Sequence, residues 1–117
     1  MKLIDDRTDT VVAEVVELAL TRRDRRRGLL GRRGLDAGAA MFISPCLAVH
    51  TVGLGFPIDI AFIDRTGIAV QLVHELRPWR MAASIDAHSV IELAAGRLKA
   101  CGVEVGDRLY LSPEQPC

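Results

Sequence analysis

Three polar residues lie in or beside apolar runs, where a buried polar group costs free energy unless it is paired or hydrogen-bonded. Asp59 falls within Ile58-Asp59-Ile60, Glu92 within Val90-Ile91-Glu92-Leu93, and His50 precedes Thr51 at the edge of a short extended stretch. If the three converge, His50 and a carboxylate can serve as general acid and base. Two carboxylates in one apolar pocket can take different pKa values, one acting as acid and the other as base. One histidine with two carboxylates is also a set able to hold a divalent metal. Their spacing carries no signature of the H-E-x-x-H kind. The structural reading therefore comes first: Asp59 on backbone amides after Pro57, Glu92 paired with Arg32 or Arg33, and His50 a satisfied, partly buried imidazole.

A second group is the basic run Arg22, Arg23, Arg25, Arg26 and Arg27, followed by Arg32 and Arg33. Such a patch can meet phosphates or an acidic partner. No aromatics interleave to stack bases, and formal net charge is zero, so no global field draws nucleic acid. A solvated helix face is the plainer account. Arg32 is set apart as a possible carboxylate or anion partner. Gly53-Leu54-Gly55 permits a bulge or a close backbone approach, but it lacks the Lys and Ser/Thr of a phosphate loop. His74, His88 and Trp79 are scattered, and Trp79 reads as a lid over a core edge.

These side chains need a frame. The chain has 117 residues, half of them hydrophobic, which suits one globular domain with its own core. Aromatics are few, so Val, Ile, Leu and Ala must fill that core, and the β-branched residues favour strands. Strands are expected over Val11–Leu20, Ala39–Ile43, Val49–Val52, Ile58–Asp64, Ile68–Leu76, His88–Leu93 and Arg108–Leu111. In Ile58–Asp64 the alternation puts Ile58, Ile60 and Phe62 on one face and Asp59, Ala61 and Ile63 on the other. Arg65-Thr66-Gly67 is a hairpin turn. Thr21-x-x-Asp24 marks a helix start for a helix over Arg22–Leu30 that stops at Gly31 or Gly34, and Ala94–Cys101 suits a second short helix. The fold class expected is mainly β, a compact antiparallel barrel or sandwich with one or two short helices. Residues 1–10 form an N-terminal strand or loose segment, 11–112 a single β-rich domain, and 113–117 a disordered tail.

The odd cysteine count, Cys46, Cys101 and Cys117, and the absence of C-x-x-C argue against a disulfide framework or a structural zinc site. One Cys46–Cys101 bridge stays open beside two free buried thiols. The acidic pair Asp5-Asp6 interrupts any leader-like apolar run, and no stretch reaches membrane-spanning length. The expected place is cytoplasmic, with an exported form if a leader has been removed.

Gly28-Leu29-Leu30-Gly31-Arg32 and His50-Thr51-x-Gly53-Leu54-x-Phe56-Pro57-Ile58-Asp59-Ile60-Ala61-Phe62-Ile63-Asp64 together resemble Domain of Unknown Function family 192. Val90-Ile91-Glu92-Leu93-x-x-Gly96 and Gly102-x-x-x-Gly106-Asp107 also fit its pattern, and the resemblance covers roughly residues 12–112. It implies a compact β-rich domain and supplies no reaction; some relatives carry export signals. The family usually has Met where this chain has Leu54, and often where it has Leu30. Both swaps conserve volume and polarity.

The function expected is a binding module for a small polar ligand or carbohydrate, with a pocket of His50, Thr51, Asp59 and Glu92 and Arg32 at its rim. No metal or cofactor is expected. The alternatives are a hydrolase-type enzyme using His50 with Asp59 or Glu92, and a structural or interaction module using Arg22–Arg33. Oligomeric state, and whether any reaction is catalysed, are left open.

Overall fold

The computed structural model describes residues 1–113; the tail expected over 113–117 lies outside the described residues from 114 onward. Its strands are β1 (Lys2–Asp5), β2 (Thr10–Ala13), β3 (Val15–Ala19), β4 (Ala39–Ile43), β5 (Ala48–His50), β6 (Ile58–Ile63), β7 (Ala69–Leu76), β8 (Met81–Ala83), β9 (Ser89–Ala94) and β10 (Leu109–Ser112). Two short helices, α1 (Arg22–Arg27) and α2 (Arg97–Ala100), accompany them. A central sheet runs in the order β3-β4-β9-β6-β7, an outer sheet in the order β10-β1-β2, and β5 pairs with β8 as a ribbon. The central sheet has edges at β3 and β7, so the architecture is a sandwich and not a closed barrel.

Both faces of the central sheet are covered, and this is why β6 is buried at every position. Ala61, Ile63, Ile91 and Leu93 face the outer sheet and α2, packing with Leu3, Val12, Leu98 and Leu109. Ile58, Ile60, Phe62 and Val90 face the other way, packing with Met41, Ile43, Leu29, Val49 and Leu54. The two-residue period of β6 divides its side chains between two faces, as the sequence predicts, and each face meets its own core.

The run Val11–Leu20, expected as one strand, is two. It leaves the outer sheet at Ala13 and joins the central sheet at Val15. Exposed Glu14 marks the switch, and the amides of Glu14 and Val15 both donate to the Gly38 carbonyl, at 2.7 and 3.1 Å. The irregular polar spacing of this run reflects a change of sheet. β3 then pairs in parallel with β4, while the other pairs are antiparallel. A parallel neighbour needs a crossover, and residues 20–38, with α1, supply it.

Thr21 Oγ1 accepts from the Asp24 amide at 3.0 Å and starts α1. The helix stops three residues short of the expected Leu30, because Gly28 takes φ +47°, a region disfavoured for residues with a Cβ. α2 is also shorter than expected, since β9 continues through Ala94 and Gly96 is left-handed at φ +86°. β8 was not foreseen. Among the described residues, no helix is long and apolar enough to cross a membrane.

Candidate functional site

The covering of the second core leaves a cavity of about 150 Å3 between the central sheet, α1 and the β5–β8 ribbon. Its apolar wall includes Leu29, Leu30, Ile43, Val49 and Leu54. Its polar groups are Glu92 from β9, His50 from β5, Cys46 just before β5, and Arg25, Arg26 and Arg27 from α1. Leu30 and Leu54, where the resemblance implies Met, are both in the wall.

Glu92 is 4% exposed. It faces inward because β9 alternates: Ile91 and Leu93 serve the first core, and Val90 and Glu92 point to the second. Met41 and Ile60 flank it on the neighbouring strands. Its carboxylate has no hydrogen-bond partner among the described residues. Burial alone pushes its pKa up to about 7, since desolvation penalises the charged form. Gly28 packs close by: a Cβ there would lie 3.6 Å from Glu92 Oε1. Cys46 is half-buried, and its thiol donates to the Ala48 carbonyl at 3.2 Å. Burial raises the Cys46 pKa, and the Glu92 charge adds to the rise, so this thiol is protonated and a poor nucleophile. His50 is exposed at the rim, opposite Met81 in the ribbon.

The other candidates stand elsewhere. Asp59 is fully buried on the opposite face of the sheet. Its Oδ2 accepts from the Leu98 amide at 3.0 Å and its Oδ1 from the Glu75 amide at 2.8 Å. It therefore holds the start of α2 and a β7 residue at φ +51°. It binds backbone amides, as the structural reading expects, but not those after Pro57. Thr51 is also fully buried. Its hydroxyl donates to the Arg77 carbonyl at 2.6 Å and accepts from the Arg80 amide at 2.9 Å, fastening the 77–80 loop beside the ribbon. Arg32 is not at the cavity rim. It pairs with Glu17 through both guanidinium nitrogens, one contact at 3.1 Å, and this pair holds the Glu17 pKa down. Glu92 consequently has neither Arg32 nor Arg33 as a partner. Of the expected pocket, the structure brings together His50 and Glu92 and leaves Thr51, Asp59 and Arg32 outside it.

Cys46 and the α1 arginines are wall residues that the sequence reading did not attach to the pocket. The 28–31 glycine segment was the available signal, because a short helix ending at glycine brings its last turn over the sheet. Gly53 takes φ +86° in the turn closed by the Leu54 amide on the Thr51 carbonyl, and a Cβ there would lie 3.2 Å from Leu30. It forms a tight turn against the cavity wall where a bulge was expected. Cys46 and Cys101 are free thiols packed on opposite faces of the central sheet; Cys117 lies outside the described residues. Trp79 is 66% exposed and lids nothing. Among the described residues, no three His, Cys, Asp or Glu side chains are grouped to hold a metal.

A second buried acidic group was also missed. Asp5 and Asp107 lie together beneath Arg7, whose Nε is 2.7 Å from Asp107 Oδ1. Burial and the neighbouring Asp107 raise the Asp5 pKa, whereas Arg7 holds Asp107 low. Asp5 Oδ2 is buried without a donor, because its neighbour is another carboxyl. Below about pH 6, a proton on Asp5 shared with Asp107 satisfies both. This group ties β1 to the loop before β10.

No curated protein matches the chain. Among solved structures, a protein of unknown function from Novosphingobium aromaticivorans DSM 12444 superimposes with a TM-score of 0.75 at 20% identity, covering 82% of this chain and 74% of that one. A protein from Sinorhizobium meliloti 1021, described as a candidate transcription regulator, superimposes with a TM-score of 0.80 at 26% identity, covering 93% of this chain and 89% of its own. The profile of one family, described as Uncharacterized ACR, matches residues 3–111. With nearly its whole length inside that match, the chain belongs to Domain of Unknown Function family 192.

Proposed function

We propose that this domain is a binding module for a small polar ligand, taken into the cavity between α1 and the central sheet. The observation that carries the reading is Glu92, a carboxylate 4% exposed, without a partner among the described residues, and opening on the cavity. Buried carboxylates are ordinarily paired or hydrogen-bonded. A ligand that donates to Glu92 would satisfy it. The cavity has room for about five waters or one small molecule.

The test is a set of small sugars, amino acids, amines and hydroxy acids, screened by thermal shift and NMR against the wild type and Glu92→Gln. The expected result is a shift that weakens in Glu92→Gln, with NMR changes at the residues lining the cavity. Absence of any response, or a response indifferent to Glu92→Gln, overturns the reading.

An acid/base enzyme is the second reading, and one observation favours it. The pKa of Glu92, about 7, suits proton transfer near neutrality, and His50 lines the same cavity. Asp59 has no part in it. The description of the Sinorhizobium meliloti protein raises a nucleic-acid role. Here the basic element is α1, six residues and so roughly 9 Å long, which is short for a recognition helix. A ligand rim accounts for the same arginines.

A further inference from the structure

The cavity changes chemistry with depth. Inside, Glu92 is an isolated acceptor among Leu29, Ile43, Val49 and Leu54. Outside, Arg26 and Arg27 are exposed and Arg25 is half-buried, its guanidinium donating to the Leu20 carbonyl at 2.8 Å. We infer that the ligand is a small zwitterion, its ammonium group on the Glu92 carboxylate and its own carboxylate facing the arginines of α1; this rests on the binding-module reading above.

The argument is one of complementary charge. A hydroxyl gives Glu92 a hydrogen bond but leaves its charge uncompensated in an apolar sleeve, whereas an ammonium supplies both donor and counter-charge. A bare amine meets repulsion from the arginines at the rim. A carboxylate carried on the same small molecule cancels that repulsion and gains charge-assisted bonds. The volume, about 150 Å3, limits the ligand to a short backbone and a short side chain. The protonated Cys46 thiol adds a neutral group and no competing charge.

The titratable and charged groups that share the cavity with Glu92 are Cys46 before β5, His50 on β5, and Arg25, Arg26 and Arg27 on α1; Ile43 of β4 is apolar. Because the ammonium requires the ionised carboxylate, affinity should rise with pH up to about 7, the pKa of Glu92, and then level. Below that value the slope approaches about tenfold per pH unit.

The experiment is NMR titration of the whole chain with alanine and β-alanine, with propylamine and lactate as the half-ligands, and with glucose as a neutral polyol. The expected order is alanine or β-alanine about tenfold or more tighter than either half-ligand. Glu92→Gln should weaken the zwitterion by a similar factor and flatten its pH profile. Arg26→Gln with Arg27→Gln, both exposed and tolerant of change, should weaken alanine while strengthening propylamine. If glucose, lactate or propylamine binds in the cavity as tightly as the zwitterions, the zwitterion inference falls and the binding module stands. If none of the five binds, the zwitterion inference falls, and the binding module is decided by the wider ligand screen above.

Discussion

Asp59 and Glu92 are carboxylates on adjacent strands of one sheet, both buried, one on each face. Asp59 receives two backbone amides from elements 16 and 39 residues away. Glu92 receives none, and its pKa rises to about 7. Burial therefore does not distinguish a structural carboxylate from a candidate site. What distinguishes them is whether the chain supplies donors: backbone amides satisfy Asp59, whereas the Glu92 oxygens have only the solvent of the cavity.

The sharpest break of this comparison is Asp59→Ala. It leaves the Leu98 and Glu75 amides without their acceptor and should cost about 3 kcal/mol, lowering Tm by roughly 10 °C. A Tm within a degree or two of wild type would remove the structural role. Glu92→Gln should act in the opposite direction. The folded pKa of Glu92 lies above its ordinary value of 4.5, so the folded state holds more protons between pH 4.5 and about 7. Its contribution is thus fully present below that window and is lost as pH rises through it. Gln does not titrate, so the variant should gain on the wild type across this window, by on the order of 2 kcal/mol at pH 8. Urea unfolding at pH 5 and pH 8 measures the difference; equal stabilities at both values would show Glu92 already satisfied.

Much of the fold was legible. The alternation of Ile58–Asp64 identified the two faces of β6, and Ala39–Ile43 and the Arg65-Thr66-Gly67 turn were readable from local pattern. The site was less so. Asp59 and Glu92 looked alike in sequence because each interrupts an apolar run. Which face each takes depends on register across β6 and β9, and which donors reach it depends on α2 and β7. Arg32 was misplaced for a related reason: its partner Glu17 is brought near by the β3–β4 crossover, which leaves no local trace.

Two smaller effects refine the cavity side. Gly53→Ala forces a Cβ into the positive-φ turn against Leu30 and should cost about 1–2 kcal/mol, visible as a lower urea midpoint. Arg32→Ala breaks an ion pair that is 37% exposed on the arginine side, so under about 1 kcal/mol is expected. It should also leave the Glu92 titration, followed by carboxyl NMR, where it was. A displaced Glu92 pKa would join Arg32 to the cavity after all.

The passage of the chain between sheets at Glu14 bears on cooperativity. Residues 10–19 are one uninterrupted piece of backbone that belongs to both layers, with no linker along which either could melt alone. Stripping the outer sheet pulls on β3, and freeing β3 releases the parallel partner β4. The sandwich should therefore come apart as a single unit, with calorimetric and van't Hoff enthalpies in agreement.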